Sequence, residues 1–261
     1  REMFRSYLEV AAKHEFCALM GGLDYRASPD WGELLGYSPA SLSDANLQSI
    51  EFLREVANEY SSQVPEILIQ GLIGPRGDAY ERNEAITENE AEDYHSVQLE
   101  TLKKANVDSA LAITFNNIPE SVGVARAAAK IGIPLGISLT LDSNSKLHSG
   151  SSLAEAITTI DKETDQSAAY FLINCSHPIE FEPAIEPGDW VKRIRGVRPN
   201  ASKMEKMALC QIGHLEDGDP EELGMLCGDL ARRYPHMDIW GGCCGTWNNH
   251  LDEIAKNAKA A

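Results

Sequence analysis

Short apolar or β-branched runs alternate along the chain with longer segments whose apolar residues recur every three or four positions. Unbroken apolar runs bounded by turn residues mark buried strands, and the 3.6-residue period marks amphipathic helices. Arg1 to Lys13 carries Met3, Tyr7, Leu8, Val10 and Ala11 at helical spacing, so a helix stands first. Seven strands are predicted behind it, over 16–25, 66–71, 109–115, 134–141, 168–175, 195–198 and 237–240. Helices are predicted from a cap at Ser43 or Asp44 to Tyr60, and from the capping box Thr87-Glu-Asn-Glu90 to Ala105. Further helices are predicted over 119–130, 152–161 and 220–234, and from Trp247 onward.

This βαβα order predicts a parallel sheet covered by helices, an α/β protein of the (β/α)₈ TIM-barrel type. Eight strands close such a barrel, and a helix ahead of the first strand implies that one preceding strand is absent from this chain. A fragment accounts for that better than a native gap, because an open barrel exposes strand edges. Residues 1–261 are expected to form one domain, a usual size for this barrel. The rival is an open doubly wound sheet, which carries a phosphate-binding glycine loop after its first strand. Gly71, Gly74 and Gly77 match neither that spacing nor a P-loop.

A net charge of −17 argues against a nucleic-acid surface, which needs clustered Lys and Arg. No apolar run reaches the roughly 18 residues that cross a bilayer, and no secretory signal opens the chain. Six cysteines in 261 residues are no disulfide scaffold. The expectation is a cytoplasmic enzyme acting on small molecules, with neither nucleic acid nor membrane as partner.

The candidate chemistry lies at strand C-terminal ends, where barrel enzymes place their active sites. Asn174-Cys175-Ser176-His177 ends the fifth predicted strand and Gly241-Gly-Cys-Cys-Gly-Thr246 ends the last. Thiolates are soft ligands that suit zinc, and catalytic zinc commonly has three protein ligands with a fourth position open. The glycines let the backbone bend so that Cys243 and Cys244 can face one ion. A metal, a vicinal disulfide and plain burial all account for the pair alone; Cys175 at a second strand end favours the metal. Cys17, Cys210 and Cys227 read as packing residues. His177 reads as a surface residue or as a donor to a cysteine sulfur. His148, His214, His236 and His250 show no ligand spacing.

Gly241-Gly-Cys-Cys-Gly-Thr246, Ile173-Asn-Cys175 and Gly74-Pro-Arg-Gly77 together resemble the homocysteine S-methyltransferase family. Tyr7-Leu-Glu, Tyr25-Arg-Ala-Ser28, Ser149-Gly-Ser-Ser-Leu153 and Asn200-Ala-Ser202 follow in the order the family shows, so the likeness spans nearly the whole chain. The resemblance implies a (β/α)₈ barrel and Zn²⁺ bound by Cys175, Cys243 and Cys244. It also implies methyl transfer from a sulfonium or ammonium donor to a thiol, homocysteine giving methionine.

Two departures bear on the substrate. The family's opening strand, with its Asp-Gly-Gly element, has no counterpart before Arg1. At the end of strand 109–115 the family pattern has Glu-Thr-x-Pro, whose carboxylate binds the substrate ammonium; this chain has Asn116-Asn-Ile-Pro119. An amide carries no charge, so weak use of homocysteine is expected unless Asp142 or the absent opening strand supplies it, and Asn116→Glu is expected to improve it. Arg76 can face a substrate carboxylate from the glycine loop, and Asp24 and Tyr25 can line the mouth. Candidate substrate residues are therefore Asn116, Asp142, Tyr25 and Arg76. Alternatives to methionine formation are the same chemistry on another thiol, or a zinc-binding relative without catalysis.

Overall fold

The computed structural model describes residues 1–79, 86–204 and 206–261, with only the backbone at 206, 207 and 210. Seven parallel strands form one sheet in sequence order: β1 (Ala18–Gly21), β2 (Ile67–Ile73), β3 (Ser109–Phe115), β4 (Leu135–Leu139), β5 (Tyr170–Asn174), β6 (Ile194–Arg198) and β7 (Ile239–Trp240). Around it run α1 (Glu2–Lys13), α2 (Pro29–Leu34), α3 (Pro39–Glu59), α4 (Glu88–Lys104), α5 (Ile118–Ile131) and α6 (Leu153–Glu163). The circuit continues through α7 (Pro178–Phe181), α8 (Lys206–Gln211), α9 (Pro220–Arg233) and α10 (Asn248–Lys259). The sheet curls into a TIM-barrel-like fold one strand short of eight. Among the described residues β1 pairs only with β2 and β7 only with β6.

Most of the core lies between sheet and helices, where Ile50, Leu53, Leu99, Leu102, Val122 and Ile157 are fully buried. A second, smaller cluster of Leu111, Ile113 and Leu172 fills the barrel interior. Alternate residues of β3 thus serve two cores, which is why its whole run is apolar.

Local signals set the helix starts. Thr87 and Glu90 form the expected capping box. The cap expected at Ser43 or Asp44 is instead Ser38, whose side chain accepts from the Ser41 N–H. Pro39 sits at the first helical position, where its fixed φ suits the helix and its missing N–H costs nothing. The short helices α2, α7 and α8 lie below the length at which periodicity can be read. No helix among the described residues is long and apolar enough to cross a membrane.

Candidate metal centre and cavity

Cys175 follows β5, and Cys243 and Cys244 follow β7, so all three stand at the same end of the sheet. Their sulfurs lie within 4.8 Å of one another. Those of Cys175 and Cys243 are in bonding contact, with Cα atoms 5.5 Å apart, and Cys244 stands outside that pair. The disulfide alternative thus joins Cys175 to Cys243 rather than the adjacent cysteines. Two adjacent side chains diverge on a regular strand; here the chain leaves β7 through Gly241 and Gly242 and turns at Gly245, with φ +76°. Backbone hydrogen bonds fix the bend, from Cys243 N to Pro199 O at 2.8 Å and from Ala201 N to Cys244 O at 3.0 Å. Asn200 Oδ1 accepts from Cys244 N at 3.2 Å.

Cys175 itself has φ +55°, left-handed backbone that a residue with a β-carbon rarely adopts. Thr114 is a second such residue, at φ +67°, and the β3–β4 register slips beside it, between Ile113 and Phe115. The bulge takes the Thr114 N–H out of the ladder, and it donates to Asn174 Oδ1 at 3.2 Å. Asn174 Oδ1 also accepts from Ser138 Oγ at 2.7 Å, while its Nδ2 donates to Thr114 Oγ1 at 3.0 Å. The same Nδ2 reaches Cys243 Sγ at 4.0 Å.

Cys243 and Cys244 open on a cavity of about 800 Å³ bounded by α1, β1, β7 and α10. It occupies the gap between the two strand edges, and its walls are mainly apolar, with Phe4, Leu72, Leu111 and Leu172 among them.

The sequence model of the homocysteine S-methyltransferase family matches residues 1–258. The chain belongs to the homocysteine S-methyltransferase family. It is accordingly an enzyme of the thiol methyltransferase class. Among solved structures it is similar to the metallated form of homocysteine methyltransferase MmuM from Escherichia coli, with a TM-score of 0.71 and 18% identity. The oxidised form of the same enzyme gives 0.72 at 18% identity. Each match covers 98% of this chain and 84% of the MmuM chain, a likeness of fold. No curated protein matches the chain.

The other residues suggested by the family pattern fall in different settings. Tyr25 is largely buried, its phenol bonds Thr114, and burial raises its pKa. Asn116 is buried at the end of β3, its Nδ2 donating to Ala79 O at 2.8 Å and its Oδ1 accepting from Asn117. Asp142 Oδ1 accepts from the N–H groups of Asn144 and Lys146, closing a turn. Arg76 Nε bonds Asp30 at 2.9 Å, with its guanidinium over the Tyr94 ring. Its backbone N–H donates to Glu120 Oε1 at 2.6 Å. Glu120 is fully buried and also bonds His95 and Asn117.

Asp24 lies behind Gly22 with Oδ1 accepting from the Leu72 N–H and Oδ2 buried without a partner. Burial pushes its carboxyl up to about 7, against the opposing pull of the backbone N–H bonds.

His177, read as a surface residue or as a donor to a cysteine sulfur, is 2% exposed and caps α7, its Nδ1 accepting from Ile179 N. Burial lowers its pKa, helped by the charge of Lys203. His250, given no role from sequence, is buried and caps α10 by accepting from Trp247 N. Cys227 is buried as expected, but Cys17 is exposed and lines the cavity, and the side chain of Cys210 lies outside the described residues. Cys17 precedes the edge strand β1, and nothing among the described residues pairs on that strand's other side. Sequence reading passed over Arg198; a lone arginine at the C-terminal end of a barrel strand was the available signal.

Proposed function

We propose that the chain is a zinc-dependent S-methyltransferase that moves a methyl group from a sulfonium or ammonium donor to a small thiol, homocysteine being the family's acceptor. The convergence of the Cys175, Cys243 and Cys244 sulfurs within 4.8 Å carries this reading. The donor set suits zinc rather than a hard cation, because it is all sulfur. Zinc, when bound, would supply a Lewis acid that holds the acceptor as its thiolate at neutral pH. The three cysteines would hold the ion, and Asn174 Nδ2 would donate toward Cys243, fixing its orientation.

The remaining work is positional. The mainly apolar walls can pack against the donor beside the point where zinc would hold the acceptor sulfur, which orients the two for transfer. A new sulfur–carbon bond forms as the donor's carbon–sulfur or carbon–nitrogen bond breaks, and the electron pair leaves with the now neutral donor. The acceptor's S–H proton would be released to solvent as its thiolate binds the zinc, so no side chain has to act as its base.

Metal analysis combined with a thiol screen tests the reading. Protein purified under reducing conditions should hold about one zinc per chain, as a three-cysteine site implies. Cys175→Ala, Cys243→Ala and Cys244→Ala should each lose zinc and methyl transfer, and Cys227→Ala should keep the zinc. Equal zinc in wild type and Cys243→Ala would rule the site out.

A further inference from the structure

Glu120 stands in the first turn of α5, just past the mouth end of β3, and is fully buried. A carboxylate out of water is costly unless donors surround it. Its Oε1 accepts from the Arg76 backbone N–H at 2.6 Å and from His95 Nε2 at 3.0 Å. Its Oε2 accepts from Asn117 Nδ2 at 3.1 Å. Three residues after the N-cap Asn117, it has the place of a capping-box glutamate, yet these bonds join the loop after β2 to α4 and α5. His95, on α4, has its Nδ1 buried without a partner. The carboxylate is thus the one polar partner of that ring among the described residues.

The loop held in this way runs from Gly74 to Ala79. A second tie comes from Asn116, whose Nδ2 donates to Ala79 O at 2.8 Å. Asn117 Nδ2 links the two ties, since it also donates to Asn116 Oδ1 at 3.1 Å. One buried relay from the end of β3 therefore pins the loop at residues 76 and 79. Toward β1 the loop packs on Tyr25, where the Gly74 N–H donates to Tyr25 O at 2.8 Å. A β-carbon at Gly74 would meet that oxygen at 2.6 Å, so only glycine fits. The Tyr25 phenol bonds Thr114, and Thr114 Oγ1 holds the Asn174 amide that reaches Cys243. The loop thus adjoins the supports of the cysteine centre, at the end of the sheet where barrel enzymes bind substrate.

We propose that Glu120 is a positioning residue for substrate binding, holding the β2–α4 loop as one wall of the mouth while touching no substrate itself. This rests on reading the mouth as the substrate site of a thiol methyltransferase. A loop fixed in advance spares the substrate the cost of ordering it, so the effect falls on KM more than on kcat. Asn116 belongs to the same relay. Only an amide there can donate to Ala79 O and accept from Asn117 at once.

Hydrogen exchange at the Arg76 amide and steady-state kinetics with homocysteine and trimethylsulfonium test the two halves of the proposal. Glu120→Ala should speed Arg76 exchange by about tenfold or more and raise the KM of at least one probe by about tenfold to a hundredfold, the size of a charge-assisted bond. Zinc content and kcat should change little. Glu120→Gln keeps an oxygen for Arg76 and His95, and both readings should stay near wild type. Ile157→Ala, a cavity under α6, should lose stability and move neither reading. If Glu120→Ala does not fold, His95→Ala removes one of the three donors and should show both changes to a smaller degree. An Arg76 amide still protected in the variant that folds, or one freed with both KM values unmoved, overturns the proposal. So does an equal rise of KM in Ile157→Ala. A wild type that transfers no methyl group to any thiol removes the methyltransferase reading and the role toward substrate with it, and exchange at Arg76 still decides the anchor.

Discussion

The side-chain nitrogen of Asn174 lies 4.0 Å from the sulfur of Cys243, across the barrel mouth from β5 to the loop after β7. The same amide is pinned from behind by Thr114 and Ser138, on two further strands. One buried side chain thus ties β3, β4 and β5 to a candidate metal ligand.

Replacing Asn174 with Ala leaves the Thr114 N–H and Ser138 Oγ without their shared acceptor. Stability should fall by about 2–4 kcal/mol, the sum of a lost buried bond and an unsatisfied group. Zinc retention should weaken by about tenfold to a hundredfold, as for other residues that orient metal ligands. Chemical denaturation and competition against a chelator read the two effects separately. Full zinc affinity in a destabilised Asn174→Ala would assign the residue to the fold alone.

Asp24 predicts a pH dependence. Its folded pKa of about 7 lies above the ordinary 3.8, so the folded state keeps a proton that the unfolded chain has released between those values. Stability therefore falls as pH rises from about 4 to about 7 and is flat above. Asp24→Asn should gain on wild type over that window by up to about 1.4 kcal/mol per pH unit. Urea melts at pH 4, 5.5, 7 and 8.5 check this; a gap constant with pH would show that the carboxyl is ionised throughout.

Thiol labelling should separate the cysteines outside the candidate centre. Cys17 is exposed, whereas burial pushes the Cys227 thiol up to about 12. In native protein iodoacetamide should modify Cys17 within minutes and spare Cys227 until denaturant is added, as read by peptide mass spectrometry. Early labelling of Cys227 would mean that the α9–α10 interface opens.

At Asn116 the structure alters what sequence suggested. A glutamate there has no amide to donate to Ala79 O and sets a carboxylate against that carbonyl. Asn116→Glu should lower stability by about 1–3 kcal/mol without improving homocysteine use. A tighter KM for homocysteine in that variant would restore the ammonium-reading role for position 116.

The strands, their parallel order and the convergence of the three cysteines were legible in the sequence, because they rest on period, capping chemistry and motifs at strand ends. Thr87 and Glu90 are three residues apart and cap each other, a local matter. Arg198 was not legible, since its bond to the Gly242 carbonyl joins two strand ends far apart in sequence. His177 looked like a loop residue before Pro178; its burial comes from the elements packed over α7. Cys17 looked like core because apolar residues flank it; it is exposed because it precedes β1, whose outer side nothing among the described residues pairs with.

Thr114 and Cys175 each hold a β-carbon in left-handed backbone, at a cost on the order of 1–3 kcal/mol apiece. Glycine would relax either position but would remove the hydroxyl that anchors Asn174 or the sulfur itself. The ends of β3 and β5 should therefore open at lower free energy than their middles. On gentle warming the first amide protons to exchange in these strands should be those at the mouth, and metal would escape while the helical shell is still intact.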